Sequence, residues 1–110
     1  MTIKSRLNIK ENLVQKTVNI DNDLYERLEK LSKTKYDEST SKLINACIFE
    51  LDETENINIY ANENELLIKH TIIFRESALL VLNRLHNKYK IPMYKLINIA
   101  IHNVIDELEE

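Results

Sequence analysis

Apolar and polar residues alternate in a short stretch near the start of the chain. In residues 14–20, the side chains of Val14, Val18 and Ile20 fall on one side, with Lys16 as the exception, and the intervening positions are polar. This alternation predicts a short β-strand with one buried face and one polar face.

Helical spacing follows at once. Leu24, Leu28 and Leu31 lie four and three residues apart, which predicts a helix over the sequence DNDLYERLEKLSK. Asp21 or Asn22 is the expected N-cap of this helix. The polar turn TKYDE leads to a second predicted helix, whose expected cap and apolar stripe are Ser39, Leu43, Ile44, Cys47, Ile48 and Leu51.

The same order of elements recurs after the polar sequence ENINIYANENE. Residues 67–74 (LIKHTIIF) predict a second strand, and residues 77–90 predict a helix. Pro92 occupies the expected first position of a last helix that runs to about Leu108, because a missing N–H costs nothing there. The apolar face of the helix before it is expected to comprise Leu79, Leu82 and Leu85.

The two halves are related by a repeat. KTVNI aligns with HTIIF, which sets Thr17 against Thr71 at an offset of 54 (71 − 17), and KLIN occurs twice at an offset of 53 (95 − 42). We therefore interpret the chain as two strand–helix–helix units. The predicted division is a basic N-terminal arm (1–13), a first unit (14–54), a linker (55–66) and a second unit (67–110).

A unit of this size with one strand cannot close a core alone, and a lone strand leaves backbone hydrogen-bonding groups unpaired on both edges. Antiparallel pairing of the two strands over the helices solves both problems. The predicted fold is therefore mainly α with a short two-stranded antiparallel ribbon, arranged as an intramolecular pseudo-dimer.

The composition excludes several classes of function and location. Glycine is absent, which excludes the glycine-dependent Walker and Rossmann phosphate loops. The net charge of −3 gives no global reason to expect a polyanionic partner. Cys47 is the only cysteine, so no intrachain disulfide forms and a cytoplasmic location is expected. The polar N-terminus does not resemble a signal peptide, and no apolar run is long enough to span a membrane.

No catalytic, metal or cofactor site is expected. His70, His86 and His102 are far apart in sequence, and no HxxxH pair occurs. The carboxylates are scattered over helix faces, and no nucleophile–base set is evident. We therefore expect a protein that is not an enzyme.

The pattern resembles the ribbon-helix-helix family of DNA-binding proteins. The resemblance rests on VQKTVNIDNDLYERLEKLS and STSKLINACIFEL in the first half, and on IKHTIIF and IPMYKLINIAI in the second. It implies sequence-specific binding of double-stranded DNA by a ribbon in the major groove. The implied roles are transcriptional repressor, plasmid partition protein or relaxosome accessory protein. Family members are usually homodimers of one unit, whereas this chain carries both.

The resemblance assigns base contacts to the outward strand residues. Gln and Asn bond adenine, Lys bonds guanine, and Thr offers a hydroxyl and a methyl. Simple solvation of these side chains is the alternative interpretation, and an isoleucine among them departs from the family pattern. The predicted base-reading residues are Gln15, Thr17, Asn19, Lys69, Thr71 and Ile73.

The resemblance also assigns phosphate contacts to the start of the second helix of each unit, where free N–H groups and the helix dipole favour an anion. The set in the second unit is less polar and lacks one N–H. The two predicted sets are Ser39, Thr40, Ser41 and Lys42, and Pro92, Met93, Tyr94 and Lys95.

Two further hypotheses concern partners. The leading alternative function is a protein-interaction module, such as an antitoxin or adaptor, that keeps the fold without reading DNA. Self-association through the second half is also expected, because its helices are apolar over several faces. The positions that support this expectation are residues 78–82, Ile97, Ile99, Ile101, Val104 and Ile105.

Overall fold

The computed structural model describes residues 11–60 and 66–110 of the protein. The predicted order of strand, helix and helix, repeated once, is confirmed. Most of the predicted arm lies outside the described residues, and its last residue, Leu13, belongs to the first strand. The elements in the described residues are β1 (Leu13–Asp21), α1 (Asn22–Thr34), α2 (Thr40–Thr54), β2 (Leu67–Arg75), α3 (Glu76–Tyr89) and α4 (Met93–Glu109).

The two strands form an antiparallel ribbon. Leu13 lies opposite Arg75, Asp21 lies opposite Leu67, and Thr17 lies opposite Thr71 at the centre of the register. One face of the ribbon packs against the helices, and this packing removes several of its apolar side chains completely from solvent. The fully buried members of this inner face are Ile20, Ile72 and Phe74.

The helices supply most of the core beneath the ribbon, with α2 and α4 packed against each other. The apolar stripe predicted for α2 is buried at every position. In α3, Leu82 and Leu85 are buried as predicted, but Ala78 is buried while Leu79 is only half-buried. The spacing of apolar residues therefore located each helix, but it placed the buried face of α3 slightly too far round the helix, at Leu79 rather than Ala78.

The broad apolar surface of α4 is buried within a single chain. Ile97, Ile99, Ile101, Val104 and Ile105 are all at most 7% exposed, because α4 packs against the other three helices and β1. The chain after α2 also covers α4, because Ile57 and Tyr60 pack on the core. The Tyr60 ring stacks on His102, and the Asn103 side chain donates to the Asn56 carbonyl. These positions therefore need no second chain, and self-association stays an untested prediction.

Each outer edge of the ribbon is held by an asparagine from one of the two core helices. The Asn98 side chain accepts from the Asp21 N–H at 2.7 Å and donates to the Asn19 carbonyl at 3.2 Å. It therefore fixes the end of β1 against α4.

Asn45 makes the matching bonds at the other edge. Its side chain accepts from the Arg75 N–H at 2.8 Å and donates to the Ile73 carbonyl at 2.9 Å. Asn45 and Asn98 are the last residues of the two KLIN sequences. Each helix that carries KLIN thus bonds the strand of the other half of the chain.

The helix ends explain how a chain without glycine turns. Asp21 caps α1 and Ser39 caps α2, as their side chains accept backbone N–H groups. Asp37, Glu55 and Lys90 hold left-handed backbone conformations that glycine ordinarily occupies. None of the helices within residues 11–60 and 66–110 has the length and apolar character to cross a membrane.

Candidate nucleic-acid interface

The six predicted base-reading side chains come together on the outer face of the ribbon as three cross-strand pairs. The register sets Gln15 opposite Ile73, Thr17 opposite Thr71, and Asn19 opposite Lys69. The two threonine hydroxyls are 3.4 Å apart. Asn19 is half-buried, because its backbone lies against Asn98, and the other five residues are exposed.

Helices α2 and α4 begin beside opposite edges of this face. The Ser41 hydroxyl, in the first turn of α2, accepts from the Ile73 N–H at 3.0 Å. At the other edge, Asn98 in the second turn of α4 bonds the end of β1. The positive ends of both helix dipoles therefore lie on the ribbon side of the molecule.

The predicted phosphate residues of α2 lie at this helix start, but several are already engaged in the fold. Ser39 accepts from the Lys42 N–H at 3.2 Å as the cap. The Thr40 hydroxyl lies 3.2 Å from that of Ser32, and Ser41 bonds the ribbon. Ser39 and Lys42 are the exposed members, with Lys42 in an ion pair with Glu38 at 3.2 Å.

The predicted set of α4 lies at the equivalent start and is less polar. Pro92 precedes the helix as its N-cap rather than opening it, which corrects the sequence-based boundary by one residue, and it makes no side-chain cap bond. Met93 and Tyr94 are half-buried, while Lys95 is exposed. The first N–H groups of α4 have no intrahelical acceptor, as at any helix start.

Charge is segregated along the axes of α2 and α4. These helices have 15 and 17 residues, so their last turns lie about 20 Å from their starts. Lys69 and Lys95 are exposed on the ribbon side, and Lys42 is exposed there in its ion pair with Glu38. The far ends carry the acidic residues Asp52, Glu53, Glu55, Asp106, Glu107, Glu109 and Glu110.

Many of the acids at the far ends are paired. Arg27 of α1 bonds both Asp106 and Glu109. The hydrogen bond from Arg27 lowers the pKa of the Glu109 carboxyl, and the same contact raises the pKa of Arg27. Lys88 likewise bonds Glu55 at 2.8 Å and lowers the pKa of that carboxyl. The acidic end of α4 is thus partly docked on α1.

The histidines serve the packing of the described part of the chain. His70 stacks on Tyr25 with ring centroids 3.5 Å apart, and His102 stacks on Tyr60 at 4.0 Å. A ring nitrogen of His86 lies 2.7 Å from the Ile91 carbonyl oxygen, where it bridges the turn before α4. Among residues 11–60 and 66–110, no group of three His, Cys, Asp or Glu side chains is arranged to hold a metal ion.

Asn45 and Asn98 are the residues whose importance the sequence analysis missed. Their signal was a polar residue within an apolar helical stripe, at the same place in both copies of KLIN. The repeat pointed to their position, but their partners lie 28 to 79 residues away in sequence.

Searches of protein-family models, of curated proteins and of solved structures found no match to the chain. We therefore infer function from the geometry of the ribbon and of the helix starts beside it.

Proposed function

We propose that the chain is a tandem ribbon-helix-helix protein that folds as an intramolecular pseudo-dimer. Two features support this architecture. Thr17 and Thr71, aligned by the sequence repeat, lie directly opposite each other, as residues on a two-fold axis would. Asn45 and Asn98, aligned by KLIN, make matching bonds to opposite strands.

The proposed function is sequence-specific binding of double-stranded DNA. A two-stranded ribbon fits the major groove of B-DNA, where its outward side chains reach base edges. The observation that carries the proposal is the outer face of the ribbon, on which five polar side chains able to hydrogen-bond base edges and one isoleucine lie in three adjacent cross-strand pairs. Apart from Asn19, they are exposed and free of a packing role in the core.

Phosphate anchoring is the second part of the proposal. The starts of α2 and α4 flank the ribbon, and each presents backbone N–H groups and an exposed lysine, Lys42 or Lys95. These groups would hold the two DNA backbones that border the groove. The biological role that fits is a cytoplasmic transcriptional repressor or a partition or relaxosome accessory protein.

The test is selection from random duplex DNA, followed by affinity measurements on the enriched site. Thr17→Ala with Asn19→Ala should reduce the preference for this site over random DNA by about 5-fold or more for each base contact that is removed. Thr54→Ala with Asn83→Ala is the matched control, because it removes the same two side-chain types from exposed positions away from the ribbon. Unchanged preference in the ribbon variant would mean that these residues do not read bases.

Salt dependence separates DNA binding from the alternative of a protein-interaction module. The logarithm of the binding constant should fall linearly with the logarithm of salt concentration, with a slope of about −0.9 per phosphate neutralised. Lys42→Ala and Lys95→Ala should each reduce that slope by about one, with little change in sequence preference. An antitoxin or adaptor would enrich no site from random DNA.

A further inference from the structure

The two ends of the ribbon carry different chemistry. At one end Asn19 lies opposite Lys69, and both are polar groups able to hydrogen-bond a base edge. At the other end Gln15 lies opposite Ile73, which is 45% exposed and has no hydrogen-bonding group in its side chain. The central Thr17–Thr71 pair is the part of the face that is the same for both halves.

We propose that this protein recognises a non-palindromic DNA site and binds it in one fixed orientation. The inference rests on the proposed DNA-binding function and deepens it. The half-site under Asn19 and Lys69 would present adenine and guanine, which Asn and Lys recognise through their major-groove edges. The half-site under Gln15 and Ile73 would present adenine and a thymine methyl.

A symmetric homodimer presents the same residues twice, so its site mirrors its two-fold symmetry. This chain presents a different set at each end, because the residues aligned by the repeat differ. Gln15 corresponds to Lys69, and Asn19 corresponds to Ile73. Binding of the same site in the opposite orientation would place guanine under Gln15 and thymine under Asn19, and each well-matched base pairing that is broken would reduce affinity by about 5- to 150-fold.

The helix starts add a second difference between the ends. The Gln15–Ile73 end lies beside α2, since Ser41 bonds Ile73, and that helix has the hydroxyl cap Ser39. The Asn19–Lys69 end lies beside α4, whose cap is Pro92. The Gln15–Ile73 end thus has fewer hydrogen-bonding groups for bases but the more polar helix start for phosphates. The Asn19–Lys69 end has more hydrogen-bonding groups for bases but the less polar helix start.

The sequence repeat gives a direct experiment, because the ribbon can be made symmetric by two substitutions. Lys69→Gln with Ile73→Asn places Gln, Thr and Asn on both strands, and both positions are exposed. The full-length wild type and this variant are each selected against random duplex DNA. The wild type is expected to enrich an asymmetric site and the variant a palindromic one, each bound by one chain as measured by the mass of the complex.

A second variant keeps the test informative if the first fails to fold, as judged by circular dichroism. Gln15→Lys with Asn19→Ile makes the ribbon symmetric in the opposite sense, and it should enrich a different palindrome. An asymmetric site that persists in a folded symmetric variant would overturn the inference.

The wild-type result separates this inference from the proposed function. A palindromic site bound by the wild type, whether by one chain or by two, would overturn the fixed-orientation inference and leave DNA binding intact. Failure of the wild type to enrich any site would overturn both. Inverting the whole asymmetric site within its flanking DNA should leave affinity unchanged. Swapping its two halves, each kept in its own direction, should reduce affinity.

Discussion

Removal of the Asn98 side chain is expected to lower the free energy of unfolding by about 1.5–4.5 kcal/mol. Its oxygen is the acceptor for the Asp21 N–H at 2.7 Å, and Asp21 is only 2% exposed. Asn98→Ala removes that acceptor from a buried N–H, which costs about 1–3 kcal/mol. Loss of the 3.2 Å bond to the Asn19 carbonyl adds about 0.5–1.5 kcal/mol.

Asn45→Ala should have a similar effect, because Asn45 makes the matching bonds to Arg75 and Ile73. A typical domain is stable by only about 5–15 kcal/mol, so each loss is large. The assay is urea unfolding followed by circular dichroism. Asn103→Ala is the control on α4: its bond to the Asn56 carbonyl is exposed, so the expected loss is below about 1 kcal/mol.

Two outcomes would refute this reasoning. A loss below about 1 kcal/mol in either Asn45→Ala or Asn98→Ala, with an unchanged denaturant slope, would mean that these bonds do not hold the strand edges. A loss in Asn103→Ala as large as that in Asn98→Ala would mean that the cost belongs to asparagine removal in general. The ribbon geometry proposed for DNA binding would lose its support in the first case.

Three further predictions concern stability and reactivity. Lys90→Gly should stabilise the protein by about 0.5–1 kcal/mol, because Lys90 has a φ of 58° that glycine adopts without a Cβ penalty; a lower melting temperature would contradict this. The pKa of Glu55 is lowered from 4.5 by Lys88, so its stabilising contribution is present above pH 4.5 and is lost as pH falls through the lower folded-state pKa. Melting temperatures of Glu55→Gln should therefore depend less on pH in that acidic range, and an unchanged dependence would exclude the mechanism. Burial raises the pKa of the Cys47 thiol to about 12, so thiol reagents at about pH 8 should label the protein only after unfolding, and rapid labelling of the native state would argue against that burial.

The order and bounds of the elements followed from local patterns. Alternation predicted a strand over residues 14–20, and the strand is Leu13–Asp21. The predicted second strand ended at residue 74, one residue before the end of β2. Local patterns sufficed because each strand has one buried face and each helix one buried stripe, so the period of the apolar residues carries the information.

The burial of α4 could not be predicted in the same way. Its apolar residues on several faces suggested a second chain, but Ile57 and Tyr60, which follow α2, pack on the same core. The segment that contains them was classified as linker because it is polar and rich in asparagine. Whether such a segment covers a helix depends on its path in space, and no periodicity in the sequence encodes that path. The outward direction of the proposed base-reading residues was predictable, whereas the asparagines that hold their strands required the tertiary contacts.

The net charge of −3 is a poor guide to whether this protein binds a polyanion. Antiparallel pairing of the strands brings the starts of α2 and α4 to the ribbon, so the same topology that builds the ribbon also turns both positive dipole ends towards it. The acidic last turns then lie about 20 Å away. Since the Debye length at physiological salt is about 8 Å, repulsion between those acids and DNA bound at the ribbon would be largely screened. Lys69 and Lys95 would act at contact distance, as would Lys42 once released from its ion pair with Glu38. Acids at the far ends would also disfavour encounters in which DNA approaches the wrong side. For the proposed DNA binding, the relevant charge is therefore the local charge of the ribbon face, which the fold creates and which the net charge of the chain does not reveal.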